Sequence, residues 1–512
     1  MIIEKTPSSF VQTCGGRRAD HAIVIGASVA GLLTARVLAN HFAQVTVIER
    51  DLFGADPCPR PGVPQSRHIH ALLPRGLQIV EKFFPGICAD LQASGAVPLD
   101  IGHDVSWLTP QGWGVRFRSG IEALSFTRDL LDHTIRRFVR RLHNVNVMEG
   151  REVVGLLRAE SGRVLGVRTR QRNVMLDRGR EDNLLGDLTV IATGRLHTIA
   201  KWFGEVGLET PEVTTINAHI GYASRICRPP KNTAFPWKAL IIQAAPPATQ
   251  RSGLVFPIEG DRWLITLIGA DRDYPPADDA GFLEFARNLR NPRLFDAIRN
   301  AEPLTPVYSY RATENRQHHF DRIAAWPAGL IITGDAACAF NPVYGQGMTT
   351  AAIEAENLGA LLSKYGNGMN LGATFQQKLA RTIRGPWTLA TSADLRFRSV
   401  EGAKRNWQTR AMHWYVDRVL RLGTRSVWAR RRFLEVQGML RDAAAILRPD
   451  MLLRVLLDLL RINSPGGTAA EIRVGMSSFS PAAGHRRVSG ERIASVKLSS
   501  SHKPEIEEQS IA

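Results

Sequence analysis

The sequence predicts an α/β fold: a parallel nucleotide-binding sheet of Rossmann type, an inserted antiparallel β subdomain, and a helical C-terminal region. Three stretches carry that prediction. From His21 to Asp51 a β-branched run, a glycine turn, a helical apolar pattern and a second β-branched run follow one another. Residues 213–270 switch to short alternating segments divided by turns, the texture of an antiparallel sheet. Residues 370–463 read as helical throughout.

The first stretch is a βαβ unit. Ile23-Val24-Ile25 predicts a buried parallel strand, Leu32, Leu33, Val37 and Leu38 recur at helical spacing, and Val45 to Ile48 predicts a second strand ending in Glu49. Such a unit sets a pyrophosphate on a helix N-terminus and an acidic side chain on ribose hydroxyls. Gly26 permits the tight turn and Gly31 the close packing of helix on strand. Ser28 replaces the middle glycine of the usual G-x-G-x-x-G, and its hydroxyl is itself expected to reach a phosphate. Without a nucleotide the same pattern would be an ordinary crossover.

Further along, a Pro/Gly-rich loop leads to His68 and His70, which an extended strand would place on one face. Two such histidines suit a metal only with a third ligand, and none is near in sequence. Residues 76–91 predict one amphipathic helix, 103–108 with 113–118 a hairpin, and 125–142 a helix whose start is favoured by Thr127 and Asp129, with Arg128 in its first turn. Strands are expected at 145–150, 152–158, 164–170, 187–195 and, beyond the antiparallel region, at 304–312, with helices near 278–290 and 293–300. A second informative stretch begins at Gly329: a buried strand, Asp335 at its carboxyl end, a loop holding Pro342, Gly345 and Gly347, then an Ala-rich helix to about 364. Loop glycines before a helix expose N–H groups that can hold anionic oxygen, and Asp335 can accept from polyol hydroxyls. Two elements this far apart serving one dinucleotide favour FAD over NAD, since FAD needs a second clamp at its ribityl and flavin end.

The domain plan is a disordered lead (1–19), a discontinuous cofactor domain (20–100, 125–200, 320–395), a substrate subdomain (101–124, 201–319), a helical region (396–464) and a disordered tail (465–512). Of 512 residues, 44% are hydrophobic and 22% charged, as in soluble globular proteins. The net charge of +17 points to an anionic cofactor or membrane surface before nucleic acid, because the basic residues are spread out rather than run together. Five scattered cysteines form no metal or disulfide pattern. With no apolar leader and no run long enough to span a bilayer, the expectation is a cytoplasmic protein. Within 401–463, thirteen Lys/Arg stand against six Asp/Glu. With the leucines of 451–460, this admits peripheral membrane contact; helices packed on the body or on a second subunit would read the same.

The stretches GASVAGLLTARVLA, RPGVPQSRHIHALLPRGLQ, FTRDLLDHTIR, DLTVIATGR and GDAACAFNPVYGQGMTTAAIEA, with HIGYASRICR and LVFPIEGDRWLITLIG between the last two, cover roughly residues 20–395. Together they resemble the FAD-dependent monooxygenases of the aromatic-hydroxylase superfamily, which have the glutathione-reductase-type FAD fold. The similarity is greatest to the bacterial branch with polyether-type epoxidases, and more distant to squalene epoxidase. The resemblance implies cofactor contacts at Gly26, Ser28, Gly31, Glu49 with Arg50 beside it, Arg128, Asp335, Pro342, Gly345 and Gly347: the adenosine ribose at Glu49, the cofactor at Arg128, the ribityl or pyrophosphate part at Asp335, and the flavin ring along Pro342, Gly345 and Gly347.

It also implies a mechanism. NAD(P)H, visiting transiently without a Rossmann domain of its own, reduces the flavin; O₂ adds, and a flavin hydroperoxide passes one oxygen to the substrate, with no protein nucleophile or metal. The substrate is expected between flavin and antiparallel sheet, near Tyr222, Phe256, Trp263 and Leu267, whose apolar character suits a hydrophobic small molecule and equally an ordinary core. The sequence departs from the family at 194–200, a stretch tied to pyridine nucleotide use. It also lacks the W-x-W-x-I-P signature of flavin-dependent halogenases, since Trp107, Trp113 and Trp237 are not so spaced. Two other readings stay open: a flavin-dependent reductase acting on a prenyl-type substrate, and a non-catalytic FAD-binding protein at a membrane surface.

Overall fold

The computed structural model describes residues 20–172, 180–195, 198–231 and 233–463. The expected lead, the expected tail, and positions 196 and 197 of the departing stretch lie outside them. Five parallel strands form the first sheet, in the order Leu330–Ile332, Leu188–Ile191, His21–Ile25, Gln44–Ile48, Val145–Met148. Its strands are buried on both faces, as parallel sheets are; Ala22 to Val24, Val45, Val47, Val190 and Ile331 have no exposed surface. Helices Val29–Leu38 and Gly347–Tyr365 pack against each other over this sheet.

An antiparallel sheet of Arg151–Arg158, Val164–Gln171 and Glu181–Leu185 flanks it. The larger, eight-stranded sheet is built on Gly221–Arg228, Arg262–Gly269, Arg251–Ile258 and Ala239–Ile242, with Val105–Thr109 added in parallel to the last. Side chains alternate across it. Val255, Trp263, Ile265 and Leu267 face helices Asp279–Arg287 and Arg293–Ile298 in one apolar core; Tyr222, Phe256, Thr266 and Ile268 face the opposite way, into a cavity.

Several expectations need correction. His68 and His70 lie on an extended segment with no sheet partner, after the short 3₁₀ turn Pro64–Arg67. The single helix expected at 76–91 is two, Pro74–Phe83 and Ile87–Ala93, broken at Gly86, whose φ of 87° no helix interior accommodates. The second hairpin strand is only Gly112–Trp113, and residues 304–312 supply only Tyr308–Tyr310. The C-terminal region is helical at Leu371–Asp394, Trp407–Leu422, Val427–Gln437 and Pro449–Asn463, interrupted by a non-helical stretch after Asp394.

These elements form one unit running to Leu459, and a second begins at Leu460. In the first, Phe433 packs on Trp107 and Arg396 pairs with Asp417, so helices 407–437 rest on the body. Leu452, Leu453, Leu456 and Leu457 are exposed. Among the described residues no helix is long and apolar enough to cross a membrane.

Candidate active site

The turn after the first strand is shaped by two glycines. Gly26 has φ 104°, and a Cβ there would come within 2.5 Å of the Ala192 carbonyl oxygen. A Cβ on Gly31 would lie 1.8 Å from the Gly26 oxygen, so only glycine lets this helix start against its own turn. All of the sequence-predicted cofactor residues except Gly31 line a single groove of about 470 Å³. Gly31 acts from behind, by packing.

Val29 and Ala30 also line the groove, and as the first residues of their helix they keep N–H groups without intrahelical partners. Glu49 is held in place: its oxygens accept from Ala27 N at 2.9 Å and Asp51 N at 3.1 Å, and Arg60 lies 3.4 Å away. A carboxylate has about four acceptor directions, so ribose hydroxyls can still be accepted there. Arg50 lines the groove with no hydrogen bond to a described residue.

Ser28 lines the groove, and its hydroxyl is engaged within the protein. Its oxygen accepts from Arg128 Nη2 at 2.7 Å, and its proton goes to Asp132 at 3.3 Å. Asp132, fully enclosed, also takes Arg128 Nε at 2.8 Å and Arg60 at 3.3 Å. Burial by itself would raise the Asp132 pKa, but the Arg128 and Arg60 guanidiniums outweigh it and hold the carboxyl below its ordinary range. The groove wall is therefore a buried network of two cations and three carboxylates, Glu49, Asp51 and Asp132. Asp132 was legible as the i+4 partner of Arg128 on a helix; Arg60 sits in an irregular Pro-rich loop and no pattern marked it.

At the other end, Asp335 sits within the 3₁₀ turn Gly334–Ala336, with Arg195 Nε 3.7 Å from its carboxylate. Behind it Glu354, from the helix Gly347–Tyr365, accepts from Thr333 Oγ1 at 2.6 Å and Gly334 N at 2.7 Å. Its pKa is pushed up to about 7 by burial, against the pull of those two bonds. The loop Asn341 to Gly345 is held by a second buried carboxylate. Asp394 accepts from Tyr344 Oη at 2.6 Å, Asn315 Nδ2 at 2.6 Å and Asn341 Nδ2 at 3.2 Å, while Asn341 Oδ1 accepts from Tyr222 Oη at 2.9 Å. Burial lifts Asp394 to about 6, with the three donors opposing.

On the far side of that loop lies an apolar cavity of about 250 Å³. Tyr222 and Phe256 line it as expected; Trp263 and Leu267 do not, because strand alternation turns them into the helix-covered core. Its wall also takes Leu434, Gln437 and Gly438 from the C-terminal helices, which sequence reasoning missed. No Asp, Glu, Lys or Arg lines it among the described residues. His68 and His70 line this cavity, and His70 also lines the groove. No three His, Cys, Asp or Glu among the described residues are grouped to hold a metal.

The groove suits a bulky polar, anionic ligand. Buried Gln346 Oε1, Thr193 Oγ1 and Thr198 Oγ1 lack hydrogen-bond partners among the described residues, and all three residues line it; buried polar groups are seldom left so.

No family model matches the chain. Protein Rv3254 of Mycobacterium tuberculosis is 32% identical over 389 residues, 75% of this chain and 81% of that protein. Squalene epoxidase 3 of Arabidopsis thaliana is 24% identical over 392 residues, 74% of this chain and 66% of the epoxidase. Among solved structures, the flavin-dependent brominase Bmp2 superposes with a TM-score of 0.61 at 14% identity, over 87% of this chain and 100% of that one. PqsL of Pseudomonas aeruginosa, described as "a probable FAD-dependent monooxygenase", gives 0.54 at 15% identity, over 74% and 97%. The solved structures share the fold; the sequence relatives carry kinship. The chain belongs to the family of protein Rv3254, within the FAD-dependent monooxygenase superfamily.

Proposed function

We propose that this protein is an FAD-dependent monooxygenase, a hydroxylase or epoxidase, acting on an uncharged, mainly apolar small molecule with NAD(P)H and O₂ as co-substrates. One observation carries the reading: a polar groove lined by nine predicted cofactor residues and an apolar cavity free of charged side chains adjoin, sharing Gln65, Ile69, His70, Ala71, Tyr310, Pro342 and Gly345.

The groove residues fit FAD. The N–H groups at the start of helix Val29–Leu38, at the positive end of its dipole, would take the pyrophosphate. Glu49 would accept the adenosine ribose hydroxyls, Asp335 the ribityl hydroxyls, and Pro342, Gly345 and Gly347 would border the ring. Arg128 and Arg60 hold the wall rigid and offset two of its three carboxylate charges. When bound, FAD supplies the redox and oxygen-transfer chemistry. The protein's share is to bind, orient, and exclude water from an apolar chamber beside the loop. Arg195, held over Asp335, Phe340 and Glu314, occupies the family's pyridine-nucleotide stretch; NAD(P)H would visit from there.

The fold likeness to a brominase makes halogenation the competing chemistry, and the missing W-x-W-x-I-P signature argues against it. The test is the visible spectrum of the purified full-length protein, then NADPH addition in air. A flavin spectrum that bleaches slowly and reoxidises with peroxide release supports the reading. Protein that takes up no flavin in excess FAD overturns it; turnover that needs halide, or reduction of a prenyl substrate without oxygen uptake, replaces it.

A further inference from the structure

His68 and His70 stand two residues apart on an extended segment, and both line the apolar cavity. Their tautomers follow from proton bookkeeping. His70 Nδ1 lies 2.9 Å from the His68 carbonyl oxygen, which can only accept. Nδ1 therefore carries the proton, and Nε2 presents a bare lone pair.

For His68 the chain of donors runs the other way. The Ile69 N–H donates to Thr266 Oγ1 at 3.4 Å, Thr266 and Ser224 hydroxyls lie 2.6 Å apart, and Ser224 Oγ is 2.8 Å from His68 Nδ1. Ser224 is fully buried. Every proton in the chain finds an acceptor when Thr266 donates to Ser224 and Ser224 donates to His68 Nδ1; the reverse direction strands the Thr266 proton. His68 Nε2 then bears hydrogen. Neither Nε2 atom has a partner among the described residues. Burial, first of all, keeps both rings neutral, with His68 lowered to about 4 and His70 to about 3. The cavity's other polar groups are mostly used internally: Trp107 Nε1 donates to Gln243 at 3.3 Å, Ser252 Oγ accepts from Ala244 N at 2.8 Å, and Tyr222 is tied to Asn341.

We propose that His68 and His70 form the polar end of the cavity and select an uncharged, apolar substrate bearing a hydroxyl group, whose oxygen accepts from His68 Nε2–H and whose proton goes to His70 Nε2. The proposal rests on reading this cavity as the substrate site. Because His70 also borders the groove, the hydroxyl would lie at the cofactor side and the apolar body would run along Leu254, Phe256 and Ile268. The pair positions substrate; a neutral imidazole held in one tautomer discriminates an O–H from an O–CH₃.

The experiment is calorimetric titration of the full-length protein with 1-naphthol, 1-methoxynaphthalene and 1-naphthoate. The methyl ether keeps the acceptor and loses the donor; the carboxylate brings a charge. The expected result is that naphthol binds about tenfold tighter than the ether, the value of one net hydrogen bond, with naphthoate weakest. His70→Leu should make naphthol and ether equal, and His70→Gln, which retains an acceptor oxygen, should restore part of the difference. Circular dichroism checks that each variant is folded, and the His70 pair avoids disturbing the more deeply buried His68. Equal binding of naphthol and ether by the unaltered protein overturns the proposal. So does a preference that survives His70→Leu, tightest binding of naphthoate, or no binding of naphthol at millimolar concentration. Flavin uptake is read separately, so protein that discriminates the probes but takes no FAD refutes the cofactor reading and leaves this one standing.

Discussion

The groove and the cavity adjoin and are built on opposite principles. The groove is held by charge: Arg60 and Arg128 lock Asp132, Glu49 and Ser28 into fixed positions. The cavity is held by packing of strand faces and helix ends, and what polarity it has is neutral. A dinucleotide of constant shape rewards a rigid charged cradle, whereas a neutral substrate is distinguished by volume and a few aimed hydrogen bonds. Substitutions should therefore fail abruptly in the groove and gradually in the cavity.

The largest effect is expected at Asp132. Asp132→Ala leaves two buried guanidiniums without their common partner, which costs about 3–5 kcal/mol. Chemical denaturation should show that loss, and the purified variant should retain little flavin. A loss below about 1 kcal/mol would mean water reaches the network and that the groove is less rigid than its geometry. Gly31→Ala comes next. Its methyl would sit 1.8 Å from the Gly26 oxygen, and separating helix from turn should cost about 3 kcal/mol and weaken flavin retention.

Glu354 sharpens the comparison through pH. Its carboxyl titrates at about 7 in the folded protein against an ordinary 4.5. A raised pKa means the folded state holds the proton more tightly. Its contribution is complete below pH 4.5 and is lost as pH rises to 7, by on the order of 3 kcal/mol at most. Glu354→Gln removes that titration. The stability difference, variant minus parent, should grow in favour of the variant between pH 5 and 8 in parallel denaturation curves. A difference flat with pH would show that Glu354 is ionised in the fold.

How much of this was legible in the sequence differs between the two regions for the same reason. Gly26, Gly31 and Glu49 act through local geometry, within one βαβ unit, so spacing alone placed them. Asp335, Pro342, Gly345 and Gly347 follow a strand in the same way. Arg60 gained its role only when a Pro-rich loop folded back on the turn, a tertiary event without periodicity. Around the cavity, Tyr222, Phe256, Trp263 and Leu267 looked alike because alternation shows that a strand has two faces and not which one receives the helices. Docking of Asp279–Arg287 and Arg293–Ile298 decided that, sending Trp263 and Leu267 to the core. The segment 68–73 has histidines at strand spacing but pairs with no strand, so the expected strand is only an extended chain.

Tyr222 offers the smallest and most discriminating test, because its ring faces the cavity while its hydroxyl holds the loop that borders the groove. Its ring lines the cavity, and its hydroxyl donates to Asn341 Oδ1, one step from Asp394 and the loop that carries Pro342 and Gly345. Tyr222→Phe keeps the ring and removes one hydrogen bond. Asn341 Oδ1 still accepts from Val343 N at 3.2 Å, so no acceptor is orphaned and the stability loss should be about 1 kcal/mol or less. The loop, however, loses its only side-chain tie to the substrate sheet among the hydrogen bonds of the described residues. If that tie transmits occupancy of the cavity to the loop, 1-naphthol should perturb the bound-flavin spectrum in the parent protein and leave it unchanged in Tyr222→Phe, at equal probe saturation. The same spectral response in both would show that the regions communicate through His70 or the shared loop backbone, and that the Tyr222–Asn341 bond is merely structural.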